Sequence, residues 1–283
     1  MKAFTAHLQR TMSSNNSVIG YIGDVRRFTD WFQKEQDEAP DPRTITYIDV
    51  AAYRQHLLDR GLSAATVNRA LNAIQQWMNF VDNDDANHIQ RVRQNRRLAP
   101  RSLKRNEFSA LLRAARRGRH PERNLAIVHL MAQAGLRVGE VAALRLADLE
   151  LSERKGHVRV VGKRMKERVV SLNRAARKAL GNWLKKRGEG QVTEPVFTSQ
   201  KGGALAVRSI QSIVGGLMQE ACIGGSSHSL RHTFAVNYLG ANQGDLAGLA
   251  HLMGHESLST TLIYLQPTRD ELAARVERLA IAG

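Results

Sequence analysis

In the stretch HSLRHTFAVNYLG, His228 to Gly240, two histidines and an arginine fall within five residues. His228, Arg231 and His232 are spaced i, i+3, i+4, which on a helix sets them on one face. Leu230, Phe234 and Tyr238 recur every four residues on another. The spacing predicts a helix with one buried side and one side that presents cationic and proton-donating groups. Those groups could bind an anion and move protons. The motif does not by itself decide between that and a capped, solvated basic face. With 10 histidines and 32 arginines in 283 residues, His-x-x-Arg arises about once by chance, and it recurs at His88/Arg91 and His120/Arg123.

Three further sites carry comparable chemistry. In GLRVGE, Gly135 ends one predicted helix and Arg137 and Glu140 stand i, i+3 at the start of the next, which taken alone is an ordinary salt bridge. In VVGKRMKERVV, Lys163 sits in a predicted hairpin turn, with Lys166 in the same turn. In HLMGHESLSTTLIYLQP, His255 follows a glycine helix stop, and Tyr264 comes nine residues later on a following helix. A lone tyrosine there is more often half-buried packing than a nucleophile. No paired carboxylate set and no Cys/His cluster with ligand spacing is present, so no metal is expected.

These residues need elements to position them. The first ~85 residues read as helices. The first lies near Phe4 and Leu8. A second has Ser17 as its cap and carries Val18, Tyr21, Ile22, Val25, Phe28, Trp31 and Phe32. The Pro-rich DEAPDPRT is a loop. A third helix bears Val50, Tyr53 and Leu57 and stops at Gly61, and Ser63 caps a fourth bearing Val67, Leu71, Ile74, Trp77 and Met78. Tyrosines and tryptophans here are expected in the core. RVRQNRRLAPRSLKR then brings seven basic residues and no acid: Arg91, Arg93, Arg96, Arg97, Arg101, Lys104 and Arg105. It reads as a linker able to lie along a phosphate backbone. Phe108, Leu111 and Leu112 open a second helical set, ERNLAIVHLMAQAG is a buried helix, and RVGEVAALRL starts another. The period then changes, with Val158 and Val160 alternating before a return through Val169–Leu172, a hairpin signal. PVFTS is a candidate strand, and helices resume from about Leu205. The expected fold class is mainly α, with a four-helix N-terminal unit (1–88), a basic linker (89–104) and a mostly helical second domain with a small antiparallel sheet (105–283).

The composition agrees with an anionic partner. Net formal charge is +16, and arginine outnumbers lysine 32 to 10. A balance of this size points to polyanions, nucleic acid above all, and the planar guanidinium fork suits phosphate oxygens. A single cysteine, Cys222, allows no internal disulfide, and no apolar run nears membrane-span length. A cytoplasmic, nucleoid-associated protein is the expectation.

Taken together, the four sites resemble the tyrosine recombinase (phage integrase, Xer-like) family. GLRVGE matches the motif of the first catalytic arginine, VxGK…KxR the lysine hairpin, HSLRHTF the family's H-x-L-R-H-x-F, and LMGHESLSTTLIY its L-G-H-x-x-x-x-T-T-x-x-Y. RLAPRSLKRNEFSALL is similar to the entry of that catalytic domain. Two departures are Arg164, where glycine is usual after Gly-Lys, and Met253, where leucine is common. The first leaves Lys166 as a rival to Lys163.

The resemblance implies Tyr264 as nucleophile, Arg137 and Arg231 as clamps on the phosphate oxygens, and His228 as base. It implies Lys163 as acid for the leaving 5′-oxygen, His255 as a phosphate hydrogen-bond partner, and Glu140 as an orienting carboxylate. His232 is expected to be structural, and the nearby arginines are expected to lower the phenol's pKa. The implied activity is cutting and rejoining of a double-stranded DNA recombination site through a 3′-phosphotyrosyl link and a Holliday junction, by a homotetramer on paired sites and without any cofactor. The alternatives are a type IB topoisomerase-like swivel and a catalytically silent DNA-binding regulator. In the tail TRDELAARVERLAIAG, Thr268 and Glu271 form a capping pair and Leu272, Val276 and Leu279 an apolar stripe. The resemblance favours docking of this helix on a neighbouring protomer.

Overall fold

The computed structural model describes residues 1–12, 15–93, 101–162, 166–199, 202–255, 261–262, 264 and 276–277. The chain divides into two compact units, Met1–Arg97 and Leu98–Gly283. Of the 42 lysines and arginines, 13 lie in the first unit, where they are nearly balanced by 11 of the 26 acids; the second unit holds most of the positive excess.

The first unit is built from α1 (Lys2–Thr11), α2 (Asn15–Gln36), α3 (Tyr47–Asp59) and α4 (Ala64–Asn79), followed by a 3-10 turn at Asp84–His88. Ser63 caps α4 by accepting a hydrogen bond from the Thr66 amide. Ser17 is not a cap, because α2 is already helical from Asn15 and carries Ser17 inside it. Phe28 centres the core and packs against Phe32, Tyr53 and Trp77. Tyr53 and Trp77 are buried as their helical spacing predicts, but Tyr47 is 46% exposed and lies against His88. The start of the basic stretch is anchored here. Ile89 and Val92 pack on this core, and Asn68 exchanges two hydrogen bonds of 2.8 Å with the Val92 backbone. Residues 94–100, including Arg96 and Arg97, lie outside the described residues.

The core of the second unit begins at Leu103, which is buried and donates its amide to Thr233 Oγ1 at 2.8 Å. Its helices are α5 (Arg105–Arg117), α6 (Pro121–Gln133), α7 (Val138–Ala143), α8 (Arg174–Arg187), α9 (Val207–Glu220), α10 (Ser227–Ala241) and α11 (Leu246–Met253). α6 is buried without a break from Ala126 to Ala132 and forms the centre of the core. The strands β1 (Leu149–Leu151), β2 (Gly156–Val161) and β3 (Glu167–Ser171) make one antiparallel sheet in the order β1-β2-β3, with Val158 opposite Val170. Strand alternation buries Val158, Val160 and Val170, and with them Arg168.

The sheet's third strand is therefore β1 and not PVFTS. That stretch buries Val196 and Phe197 but forms only isolated bridges, Arg145 to Pro195 and Thr198 to Ala204. α8 escapes the sequence reading because its buried stripe is only Ala176, Ala179, Leu180 and Trp183 among basic residues. A satellite cluster of Ala235, Leu239, Leu249 and Met253 joins α10 to α11, with Phe234, Tyr238 and Tyr264 packed on it.

Candidate active site

α10 starts with a reciprocal cap. Ser226 Oγ accepts from the His228 amide, and Ser229 Oγ accepts from the Ser226 amide. The face carrying Arg231 and His232 is not presented outward as the spacing suggested. Both residues are 2% exposed, and only His228 of the three is exposed. The inward turn is possible because backbone carbonyls receive the guanidinium. Arg231 Nη1 donates to Gly135 O and Nη2 to Met253 O, each at 2.5 Å. Gly135 has φ +67°, and a Cβ there would collide with the Phe234 ring, so glycine is required twice over.

Glu140 is the electrostatic centre. Its carboxylate accepts from the Arg137 backbone amide at 2.7 Å and from Arg137 Nη1 at 2.9 Å. Arg168 grips it with both ends of its fork, at 2.9 and 3.0 Å, and Arg231 Nη1 stands 3.7 Å from Oε2. The i, i+3 pair at the start of α7 is thus one edge of a buried cluster of three guanidiniums on one carboxylate. Burial alone would raise the Glu140 pKa; the hydrogen bonds and charges of Arg168 and Arg137 overcome it and hold the carboxyl below its ordinary value.

The end of α11 adds three acceptors in succession. Arg168 Nε donates to Leu252 O at 2.8 Å, Arg231 to Met253 O, and Arg137 Nη2 to Gly254 O at 3.3 Å. These carbonyls are the negative end of the helix, where cations are stabilised. Gly254 takes the left-handed conformation (φ 60°, ψ 51°) that stops the helix, and His255 follows. His255 Nδ1 is 2.9 Å from the buried Thr261 hydroxyl, and its Nε2 is 3.4 Å from Arg231 Nη2. Burial, then the charges of Arg231, Arg137 and Arg168, press the His255 pKa down to about 4. His228, although exposed on one side, is lowered by partial loss of solvent around its ring and then by the charges of Arg231 and Arg137.

Tyr264 lies in this cluster, its ring 4.8 Å from that of His232 and stacked on His255 at 6.2 Å. The arginines do act on the phenol as anticipated: Arg231 and Arg137 lower its pKa, Arg231 also through a hydrogen bond. Burial outweighs them, and the net shift is upward.

Of the seven candidate catalytic residues, Arg137, Glu140, His228, Arg231, His255 and Tyr264 converge. Lys163 lies outside the described residues; of the residues that flank it, Gly162 donates its N–H to Lys166 O at 2.8 Å. Arg168 is the member that the sequence did not single out. Its signal was an arginine on the inward register of a strand, two residues from Val170. The basic candidates are dispersed: Arg91 donates to Gln75, Arg101 pairs with Glu107, and Arg93, Lys104 and Arg105 are exposed. His228/His232 and His251/His255 stand at i, i+4, yet among the described residues no group of three or more His, Cys, Asp or Glu could hold a metal ion. Among those residues, too, no helix is long and apolar enough to cross a membrane.

Residues 101–271 match the model of the phage integrase family, and residues 1–82 that of the phage integrase N-terminal SAM-like domain. Tyrosine recombinase XerC of Pelobacter propionicus is 31% identical over 284 residues, covering 96% of this chain and 92% of the relative. Tyrosine recombinase XerD of Oceanobacillus iheyensis is 29% identical over 272 residues, with 92% and 90% covered. Among solved structures, the XerH site-specific recombinase in a post-cleavage complex with a palindromic difH substrate shares the fold, with a TM-score of 0.74 at 22% identity, over 92% of this chain and 79% of that one. With the family model spanning most of the second unit and a 31% identical relative matched almost end to end, the chain belongs to the phage integrase family of tyrosine recombinases.

Proposed function

We propose that the chain is a site-specific recombinase that cuts and rejoins double-stranded DNA through Tyr264, as a homotetramer on paired sites with a Holliday junction between two rounds of exchange. The observation that carries this reading is the convergence of Tyr264 with Arg137, Arg231 and His255, residues from four separate segments of the second unit.

Attack of a phenol oxygen on a phosphodiester passes through a pentacoordinate state with growing charge on the non-bridging oxygens. Guanidiniums already fixed by Glu140 and by carbonyls can meet that charge without reorganising, and one such donor is worth roughly 10²–10³ in rate. Arg231 stays charged near neutral pH even though burial, then Arg137, lowers its pKa to about 10. His255 can donate to the same oxygens. In this reading Lys163 protonates the leaving 5′-oxygen, and the 3′-phosphotyrosyl link conserves the bond for the return attack by a 5′-hydroxyl. The basic residues from Arg91 to Arg105 follow the DNA backbone. The N-terminal unit is the core-binding domain of residues 1–88, and the catalytic domain is 105–283. The amphipathic tail from Thr268, nearly all of it outside the described residues, docks on the neighbouring protomer.

A nicked suicide substrate carrying the site tests the reading. The wild-type chain should become covalently joined to a 3′-phosphate, and Tyr264→Phe should bind the site equally and form no adduct. Undiminished adduct in the variant would remove Tyr264 from the role.

A further inference from the structure

Arg168 stands at an inward position of β3, opposite Val160 and two residues before Val170. Val158, Val160 and Val170 are the buried residues beside it, the apolar kind that a sheet face on a core calls for. A buried ion pair is often no more stabilising than apolar side chains of similar volume. Stability therefore does not account for an arginine among these valines. The bonds it makes supply a reason. All three of its nitrogens have acceptors, and none of the acceptors lies on the sheet. Nη1 and Nη2 donate to the two oxygens of Glu140 on α7, and Nε donates to Leu252 O at the end of α11. Nη1 also lies beside two glycines: a Cβ on Gly254 would stand 2.9 Å from it, and a Cβ on Gly162 4.0 Å. In the chain, Gly254 precedes His255 and Gly162 precedes Lys163.

The two clamp arginines have holds of their own. Arg231 donates to Gly135 O and Met253 O, and Arg137 to Glu140 Oε1 and Gly254 O. The hairpin has no such second hold. Among the described residues, every hydrogen bond and ion pair from β2 or β3 to Glu140, α10 or α11 comes from Arg168. We infer that Arg168 is a positioning residue for the leaving-group side of the reaction, tying the hairpin that carries Lys163 to the carboxylate and the helix end that hold the phosphate clamp. This deepens the proposed function and rests on Lys163 being the acid. In that step Tyr264 Oη bonds to phosphorus, and the 5′-oxygen leaves with the electron pair of its bond to phosphorus. Lys163 gives that oxygen its proton. An acid misplaced by about 1 Å loses roughly 10²-fold in rate. Arg168 touches no reacting atom and acts through where the hairpin is held.

The test is single-turnover cleavage of two suicide substrates, one with the ordinary 5′-oxygen at the scissile bond and one with sulfur in its place. A thiol ionises near pH 8.5, so sulfur leaves as thiolate and needs no acid. Arg168→Lys keeps a charge beside Glu140 but has no fork to span Glu140 and Leu252 O together. On the oxygen substrate its rate should fall about 10²-fold. On the sulfur substrate it should return to the wild-type rate for that substrate, as Lys163→Ala should. Arg231→Lys should stay slow on both, because the non-bridging oxygens need their clamp whichever atom leaves. Half-site binding checks folding, and Arg168→Gln serves if the lysine variant does not fold. An equal loss on both substrates, the mark of an ion pair that only stabilises the fold, would overturn the inference. So would wild-type rates on the oxygen substrate, or failure of both variants to fold. If sulfur does not rescue Lys163→Ala, the acid named in the proposed function is wrong and the inference falls with it. If sulfur rescues Lys163→Ala and not the Arg168 variants, the inference alone is overturned.

Discussion

At the scale of single residues, the site depends on one carboxylate. Glu140 is 8% exposed and holds Arg137 and Arg168 directly, with Arg231 close by. Removing one partner of a buried ionic cluster leaves the others uncompensated and costs about 3–5 kcal/mol. Glu140→Gln should lose stability on that scale at pH 7 while keeping the side-chain shape. The pH dependence follows from the sign of the shift. The folded pKa is depressed, so the ionic contribution is complete above the ordinary glutamate value of about 4.3 and is lost as pH falls through the lower folded value. Urea unfolding of both proteins at pH 7 and at successively lower pH should show the gap between them closing in acid. A gap that stays constant would mean that the carboxylate's charge does not hold the cluster.

The resemblance of the four motifs taken together made Arg137, Glu140, Arg231, His255 and Tyr264 legible as candidates, whereas the helical spacing of each motif alone left a salt bridge or a packed ring equally open. The burial of Arg231 and the grip of Arg168 on Glu140 were not legible. Both depend on carbonyls and on a carboxylate 22 or more residues away, and no local period encodes that.

Among the elements, α11 sets the geometry that the arginines need. Its last carbonyls each serve a different guanidinium, and Gly254 both ends the helix and makes room for Arg168. A Cβ on Gly254 would lie 2.9 Å from Arg168 Nη1, in a left-handed backbone that costs a non-glycine residue about 1–2 kcal/mol. Gly254→Ala should therefore destabilise the fold by about that amount and depress cleavage far more than half-site binding. Equal loss of binding and cleavage would place the damage elsewhere.

The long helices and the β2–β3 hairpin were readable from periods of 3.6 and 2. The reading failed for short or weakly striped elements. β1 has three residues, and α8 buries a narrow stripe under a basic surface. PVFTS is apolar because it lies beneath α8, where Trp183 Nε1 donates to Val196 O at 2.9 Å, and not because it is a strand.

Over the whole molecule, positive charge is concentrated in the second unit and the basic stretch before it. Binding to a DNA site should weaken steeply with salt, since each neutralised phosphate releases counterion with a log–log slope of about −0.9. Replacing Arg93, Arg96 and Arg97 together by glutamine should make that slope shallower by roughly one for each phosphate left without its cation. A titration series across salt concentrations measures it, and an unchanged slope would refute an approach of this stretch to the DNA backbone. Residues 1–88, where acids match the basic residues before the basic stretch begins, have a different consequence. A surface that adds little undirected attraction can change its side chains without altering how tightly the protein holds DNA of any sequence. On the proposed function, in which residues 1–88 are the core-binding domain, lineages could drift to new target sites through substitutions there, while the grip and the chemistry stay under separate selection in the rest of the chain.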